Sequence, residues 1–190
     1  MKNFKRFSFA FSIVVMVASA LSLRVYAVAG PSMAPNIMLH DMVLANHSAY
    51  LLDQPQRGDV VVYFDSAKNT VAIKRIVGIP GDVLTLSENR LSINGIQQPL
   101  TLMAPDDFAD IHEENGLGKI IAEENIFGRK HFITFSPQLS PKRNFGAGRL
   151  AAGEYFILGD HRDNSADSRY IGPIQHEQIL AKVIWVYHKS

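Results

Sequence analysis

The stretch Thr70-Val71-Ala72-Ile73-Lys74-Arg75-Ile76-Val77-Gly78 is dense in β-branched residues and is followed by the turn sequence Pro80-Gly81-Asp82. Both features mark a strand rather than a helix. Alternation puts Val71, Ile73, Arg75 and Val77 on one face and Ala72, Lys74 and Ile76 on the other. Upstream, Asp59-Val60-Val61-Val62-Tyr63-Phe64 begins within the turn Arg57-Gly58-Asp59 and reads as a buried strand. Downstream, Val83–Leu86 and Arg90–Ile93 flank a turn at Ser87–Asn89, and Asn94-Gly95 signals a hairpin. Tyr155–Leu158 and Lys182–Tyr187 are further apolar runs with aromatic and β-branched residues, the first ending at the turn Gly159-Asp160. The chain after residue 36 is therefore mostly β, with coiled sheets. Residues 100–150 differ, with paired acids at Asp106-Asp107, Glu113-Glu114 and Glu123-Glu124 and a glycine-rich run at 144–148. They predict an excursion from the core. Short helices are expected over 105–115 and 173–181.

The chain has 190 residues, 47% of them hydrophobic and 19% charged, enough for a domain with a real core and too apolar for disorder. Its formal charge of +1 does not suit a nucleic-acid binder. With no cysteine, the chain has no disulfide, zinc-thiolate site, iron–sulfur cluster or thiol nucleophile. The charge is uneven. Lys2, Lys5, Arg6 and Arg24 precede the first acid, Asp41. The three bases at 2, 5 and 6 stand before an apolar run, Phe7–Leu23, whose seventeen residues of helix would rise about 25 Å. A cleaved secretory signal, a buried helix and an uncleaved anchor are all consistent with such a run. Ala27-Val28-Ala29 is an A-x-A cleavage pattern. The run is longer than the usual core of a signal, and Arg24 interrupts the approach to the A-x-A. We therefore read residues 7–29 as a single membrane anchor. Basic flanking residues put 1–6 in the cytoplasm and 30–190 outside it.

Four segments are richer than a fold requires, of which Gly78-Ile79-Pro80-Gly81-Asp82 is most simply a turn and carries no chemistry. Gly30-Pro31-Ser32-Met33-Ala34-Pro35 fixes the backbone around one hydroxyl. On its own it also reads as an ordinary turn. Lys74 within its strand is either a solvated lysine on an edge or a buried amine whose pKa is lowered, able to take a proton from a serine. Gly159-Asp160-His161-Arg162-Asp163-Asn164-Ser165-Ala166-Asp167-Ser168-Arg169 packs three carboxylates, two guanidinium groups, hydroxyls, an amide and an imidazole into eleven residues. It lacks the glycine and glutamate of a calcium loop. It reads as a network of Asp–Arg pairs that orients the loop, with a hydroxyl such as that of Ser165 near a reactive group. His161 stands in no recognised triad segment, and no G-x-S-x-G or H-E-x-x-H occurs.

These segments, in this order, resemble the type I signal peptidases, membrane-bound endopeptidases with a Ser-Lys pair. The resemblance rests on Gly-Pro-Ser-Met-Ala-Pro-Asn at 30–36, Arg-Gly-Asp-Val-Val-Val-Tyr at 57–63, Lys-Arg-Ile-Val-Gly-Ile-Pro-Gly-Asp at 74–82 and Gly-Asp-His-Arg-Asp-Asn-Ser-Ala-Asp-Ser-Arg-Tyr-Ile-Gly at 159–172. It implies Ser32 as nucleophile, Lys74 as general base and Ser165 as the hydroxyl that orients the amine. Asp160, Arg162, Asp167 and Arg169 would form the supporting network. It implies two coiled antiparallel sheets after one transmembrane helix, with 98–150 partly a small inserted region. It implies removal of signal peptides from exported preproteins after small-x-small sites at the cell membrane. The expected partners are signal peptides and the lipid bilayer, with no nucleic acid, metal or cofactor. There are departures. Gly30 stands where a serine or threonine often helps bind the oxyanion, which leaves the backbone N–H of Ser32; losing one such donor can cost about 2.7–4 kcal/mol. Pro31, Asn36 and His161 also replace the usual residues. Two other functions fit less of the chain: a dedicated peptidase of the same clan that matures a pilin or a secretion-system component, and a non-catalytic, membrane-tethered binding domain.

Overall fold

The computed structural model describes residues 22–104, 119–139 and 141–189. The strand pairs are antiparallel. Strand β4, Thr70–Gly78, keeps the bounds read from the sequence, because its β-branched residues pack on both sides. It pairs along its length with β3, Val60–Asp65, and at its far end with β12, Glu154–Leu158. Around this centre runs a sheet ordered β1 (Leu23–Ala27), β2 (Met42–Asn46), β14 (Ile179–Tyr187), β3, β4, β12 and β13 (Ile174–Gln175).

Strands β5 (Val83–Ser87), β6 (Arg90–Ile93) and β7 (Ile96–Gln97) form a meander, joined on its β5 edge by β11 (Phe145–Arg149). Asn94 and Gly95 sit at φ 53° and 79°, the positive values that a two-residue hairpin turn requires. A third sheet orders β10 (Arg129–Phe135), β9 (Ile120–Ile126) and β8 (Leu100–Leu102). Val77, Leu84, Leu91, Ile93, Ile126 and Phe156 make a core from all three sheets, and Val61, Tyr63, Ile76 and Ile157 fill a second.

Four sequence expectations change. Among the described residues there are three sheets rather than two, because 98–150 supplies its own set, β8–β10. That region is not a detached insert: β11 returns to pair with β5, and β10 bridges to the last polar loop at Thr134–His161. The helix expected over 173–181 is instead β13, a 3₁₀ turn at His176–Gln178 and the start of β14, since β14 completes the sheet between β2 and β3. Finally, Leu23–Ala27, assigned to the anchor, are strand β1, and Val28 is buried against Met33, Ile37 and Val43. The Val28 N–H donates to the Asp41 carbonyl at 2.8 Å and its carbonyl accepts from His40 N–H at 3.0 Å. The A-x-A pattern is thus built into the fold. The expected cytoplasmic stretch 1–6, the membrane segment as far as residue 21 and the whole of the expected 105–115 helix lie outside the described residues. Among the described residues no helix is long and apolar enough to cross a membrane.

Glu124 and Arg162 join the third sheet to the polar loop. Arg162 donates through both terminal nitrogens to the Glu124 carboxylate, and both side chains are about 1% exposed. Burial would raise the Glu124 pKa, but Arg162 and His131 outweigh it and hold the carboxyl down at about 2. Replacing Glu124 by Ala strands a buried guanidinium, for which a loss of about 3–5 kcal/mol in folding stability is expected from denaturant titration. Because its folded pKa is depressed, the glutamate's contribution is full above about pH 4.5 and is lost as pH falls toward about 2. The Glu124→Ala protein should lose that part of its acid sensitivity.

Candidate active site

Ser32 lies in a turn held by its own backbone: Ala34 N–H donates to the Pro31 carbonyl at 3.1 Å and Ile37 N–H to that of Met33 at 3.0 Å. Met33 and Ile37 are buried against Val43, so two apolar anchors fix the loop and leave the adjoining serine half-buried. Lys74 comes from the middle of β4, an interior strand, and is 5% exposed. This excludes the solvated-edge reading. Its Nζ donates to Ser32 Oγ at 2.7 Å and to the carbonyl of Ile73 at 3.0 Å. Desolvation dominates its electrostatics and lowers its pKa to about 8. The carboxylates of Asp167, Asp160 and Asp65 pull the other way, and Lys68 adds to the lowering. A serine hydroxyl in hydrogen-bond contact with an amine that neutralises near physiological pH is the geometry of nucleophile and base.

The polar loop stands behind this pair, but its ion pairs mostly reach outside it. Asp160 is gripped by Arg75, with Nε–Oδ1 at 2.8 Å and Nη2–Oδ2 at 2.7 Å. Arg162 goes to Glu124. Asp163 takes Arg143 and Asn89. Only Asp167 and Arg169 pair within the loop, at 2.8 and 2.9 Å, and there Asp167 also caps the short helix α1, Ser168–Ile171. His161 N–H donates to the Ser32 carbonyl at 3.1 Å, so the loop's backbone holds the nucleophile's. The His161 ring meets Ser136 Oγ at 2.8 Å, away from the dyad, and burial lowers its pKa.

Ser165 does not make the expected contact: its Oγ is buried without a hydrogen-bond partner. It packs at Gly159, where an added Cβ would stand 2.3 Å from Ser165 Oγ and 2.5 Å from the Ser32 carbonyl oxygen. Any side chain at 159 would push the two serines apart, so this glycine is a site residue that reads in sequence as a mere turn signal. Arg75 was also missed, although a second cation beside Lys74 on the opposite face of one strand asks for a buried carboxylate. At Gly30 nothing lies within 4 Å of where a side chain would project. Among the described residues the Ser32 N–H has no backbone hydrogen-bond partner. Among the described residues no group of three or more His, Asp or Glu could hold a metal ion.

A cleft of about 190 Å³ opens at the dyad, lined on one side by Tyr26–Gly30 and on the other by Val71–Lys74. Its walls are mostly apolar and its end is the serine. The family model described as signal peptidase, peptidase S26, matches residues 1–188. The chain belongs to the signal peptidase family. It is 31% identical to signal peptidase I of Pseudomonas fluorescens, over 92% of this chain and 68% of that one. It is 33% identical to signal peptidase I of Pseudomonas aeruginosa, over 83% of this chain and 58% of that one. It is 29% identical to signal peptidase IB of Staphylococcus aureus strain Mu50, over 90% of this chain and 81% of that one. A crystal structure of a signal peptidase I from Enterococcus faecalis V583 overlays with a TM-score of 0.42 at 22% identity, covering 70% of this chain and 98% of the other.

In this signal peptidase, Ser32→Ala and Lys74→Ala are each expected to abolish peptide cleavage. His161→Ala keeps the backbone N–H that holds Ser32 and should retain most of the activity. In the unsubstituted enzyme the neutral amine is the working form, so kcat/KM should climb as pH rises through about 8 and then level. Rates on a small-x-small peptide across pH check all three. A histidine variant as damaged as Lys74→Ala would contradict the assignment.

Proposed function

We propose that this signal peptidase removes signal peptides from exported preproteins by a Ser-Lys mechanism, at the surface of the membrane that anchors it. The observation that carries the reading is the 2.7 Å contact between Lys74 Nζ and Ser32 Oγ at the end of an apolar cleft. Lys74 takes the proton of Ser32, and Oγ attacks the scissile carbonyl. The Ser32 N–H stabilises the oxyanion. The ammonium then protonates the leaving amine, and Lys74 activates the water that hydrolyses the acyl-enzyme.

The backbone supports an extended substrate. Strand β12 pairs with β4 only at Arg75–Gly78, and this leaves the same edge of Thr70–Lys74 without a strand partner. A peptide laid between that edge and Ala27–Gly30 could pair by strand addition and present small side chains to the cleft. Membrane attachment is supported by a second face. Cross-strand register stacks Val25, Leu44 and Trp185 in one row and Ala27, Met42 and Tyr187 in the next. Trp185, Tyr187 and Val25 are 67%, 60% and 56% exposed, an apolar and aromatic surface suited to a bilayer interface. This face begins where the apolar run ends, and eight residues separate Leu23 from Ser32. Since β1 and Val28 belong to the fold, we read residues 1–29 as retained.

The purified full-length protein is expected to cut a small-x-small peptide after its last small residue, and the gene should complement loss of a host's signal peptidase. Cleavage without complementation would point to a dedicated substrate. Absence of cleavage would make the chain a binding domain.

A further inference from the structure

Three segments must meet for the proposed chemistry, and they start far apart in the chain: the nucleophile turn at 32–36, the base strand at 74–75 and the polar loop at 160–161. They converge on one carboxylate. Asp160 is about 1% exposed, and Arg75 takes both of its oxygens. Its Oδ2 accepts a further hydrogen bond from Asn36 Nδ2 at 2.7 Å. The same Nδ2 donates to the carbonyl of Phe132 in β10 at 2.6 Å, and Asn36 Oδ1 accepts from Phe132 N–H at 3.4 Å. Both groups facing Nδ2 are pure acceptors, so the orientation of the amide is dictated by its partners.

The positions of these contacts along the chain matter. Arg75 is the neighbour of Lys74. Asp160 is the neighbour of His161, whose N–H holds the Ser32 carbonyl. Asn36 closes the turn that begins at Ser32. Strand β10 serves as a common template, since Thr134 N–H donates to the Asp160 carbonyl at 2.9 Å while Phe132 holds Asn36. A carboxamide donates and accepts at one short side chain, which alanine, aspartate and serine cannot do in this pattern. Behind the clamp lies a second cavity of about 470 Å³, whose wall includes Asn36 and Arg75.

We propose that Asn36 is a positioning residue: through Asp160 and β10 it holds the Ser32 turn against Lys74 and so sets the distance between Ser32 Oγ and Lys74 Nζ. The inference rests on the Ser-Lys reading. It accounts for a residue that touches neither member of the pair.

The test is steady-state cleavage of a small-x-small peptide by full-length Asn36→Ala and Asn36→Asp proteins, with the pH–rate profile measured for each. The loss of these hydrogen bonds should lower kcat about tenfold or more while KM stays within about twofold. In Asn36→Ala the charged groups that act on Lys74, Asp167, Lys68, Asp160 and Asp65, all remain, whereas Asn36→Asp adds a carboxylate beside Asp160, so the midpoint is read on Asn36→Ala. Loosening the turn that carries Ser32 onto the amine should hydrate it and move the midpoint of that profile upward, toward the ordinary lysine range. A properly folded Asn36→Ala protein whose midpoint is unchanged overturns the proposal, whatever its kcat, because a merely structural role would not move it. If neither variant folds, Asn36→Ser, which keeps a single donor, carries the same two readouts. Activity surviving in Lys74→Ala would instead defeat the Ser-Lys reading itself, independently of how Asn36 variants behave.

Discussion

The structure turns on keeping one amine dry. An ordinary lysine, with a pKa of 10.5, offers about one neutral amine in three thousand at pH 7, whereas at about 8 roughly one in ten is neutral. Desolvation provides this, and it opposes nearby carboxylates that favour the ammonium. The fold must therefore hold Lys74 deep inside a sheet and bring a serine to it from a separate loop. The position of β4 between β3 and β12 accomplishes the first, and the anchored turn of Met33 and Ile37 the second.

The surrounding charges follow from that demand. Asp160 and Asp167 lie close enough to act on the amine, and each is matched by an arginine, Arg75 and Arg169. Ion pairs this deep add little net stability, but breaking one is expensive. Their use here is geometric. Arg75–Asp160 ties the base strand to the loop that holds Ser32, and Arg162–Glu124 ties the same loop to the third sheet. The third sheet is therefore part of the site's frame, although none of its side chains touches the dyad.

Much of this was legible in the sequence where a pattern is local. Strand β4 kept its bounds because β-branched density and a following Pro-Gly-Asp are short-range signals. Asp167 and Arg169 lie within one turn, and the expected network of Asp–Arg pairs is closed inside the loop only there. What depended on distant partners was hidden. Strand β1 merged with the apolar run before it, since hydrophobicity does not distinguish an edge strand from the end of a span. Glu124 read as one of the paired acids that mark an excursion from the core, and only the position of Arg162 shows why it is buried. The stretch 173–181 became β13, a 3₁₀ turn and the start of β14, because a vacancy between β2 and β3 outweighed local propensity. Gly159 looked like any turn glycine until Ser165 and the Ser32 carbonyl were found within the volume of its absent side chain.

The claim on which everything else rests is that the Lys74 amine loses its proton near neutrality. The direct measurement is an NMR titration of the full-length protein with ¹³C-labelled lysine side chains, the Lys74 signal being assigned by its loss in a Lys74→Met protein. The account predicts a midpoint near 8 for Lys74. A midpoint at the ordinary lysine value of 10.5 would contradict it.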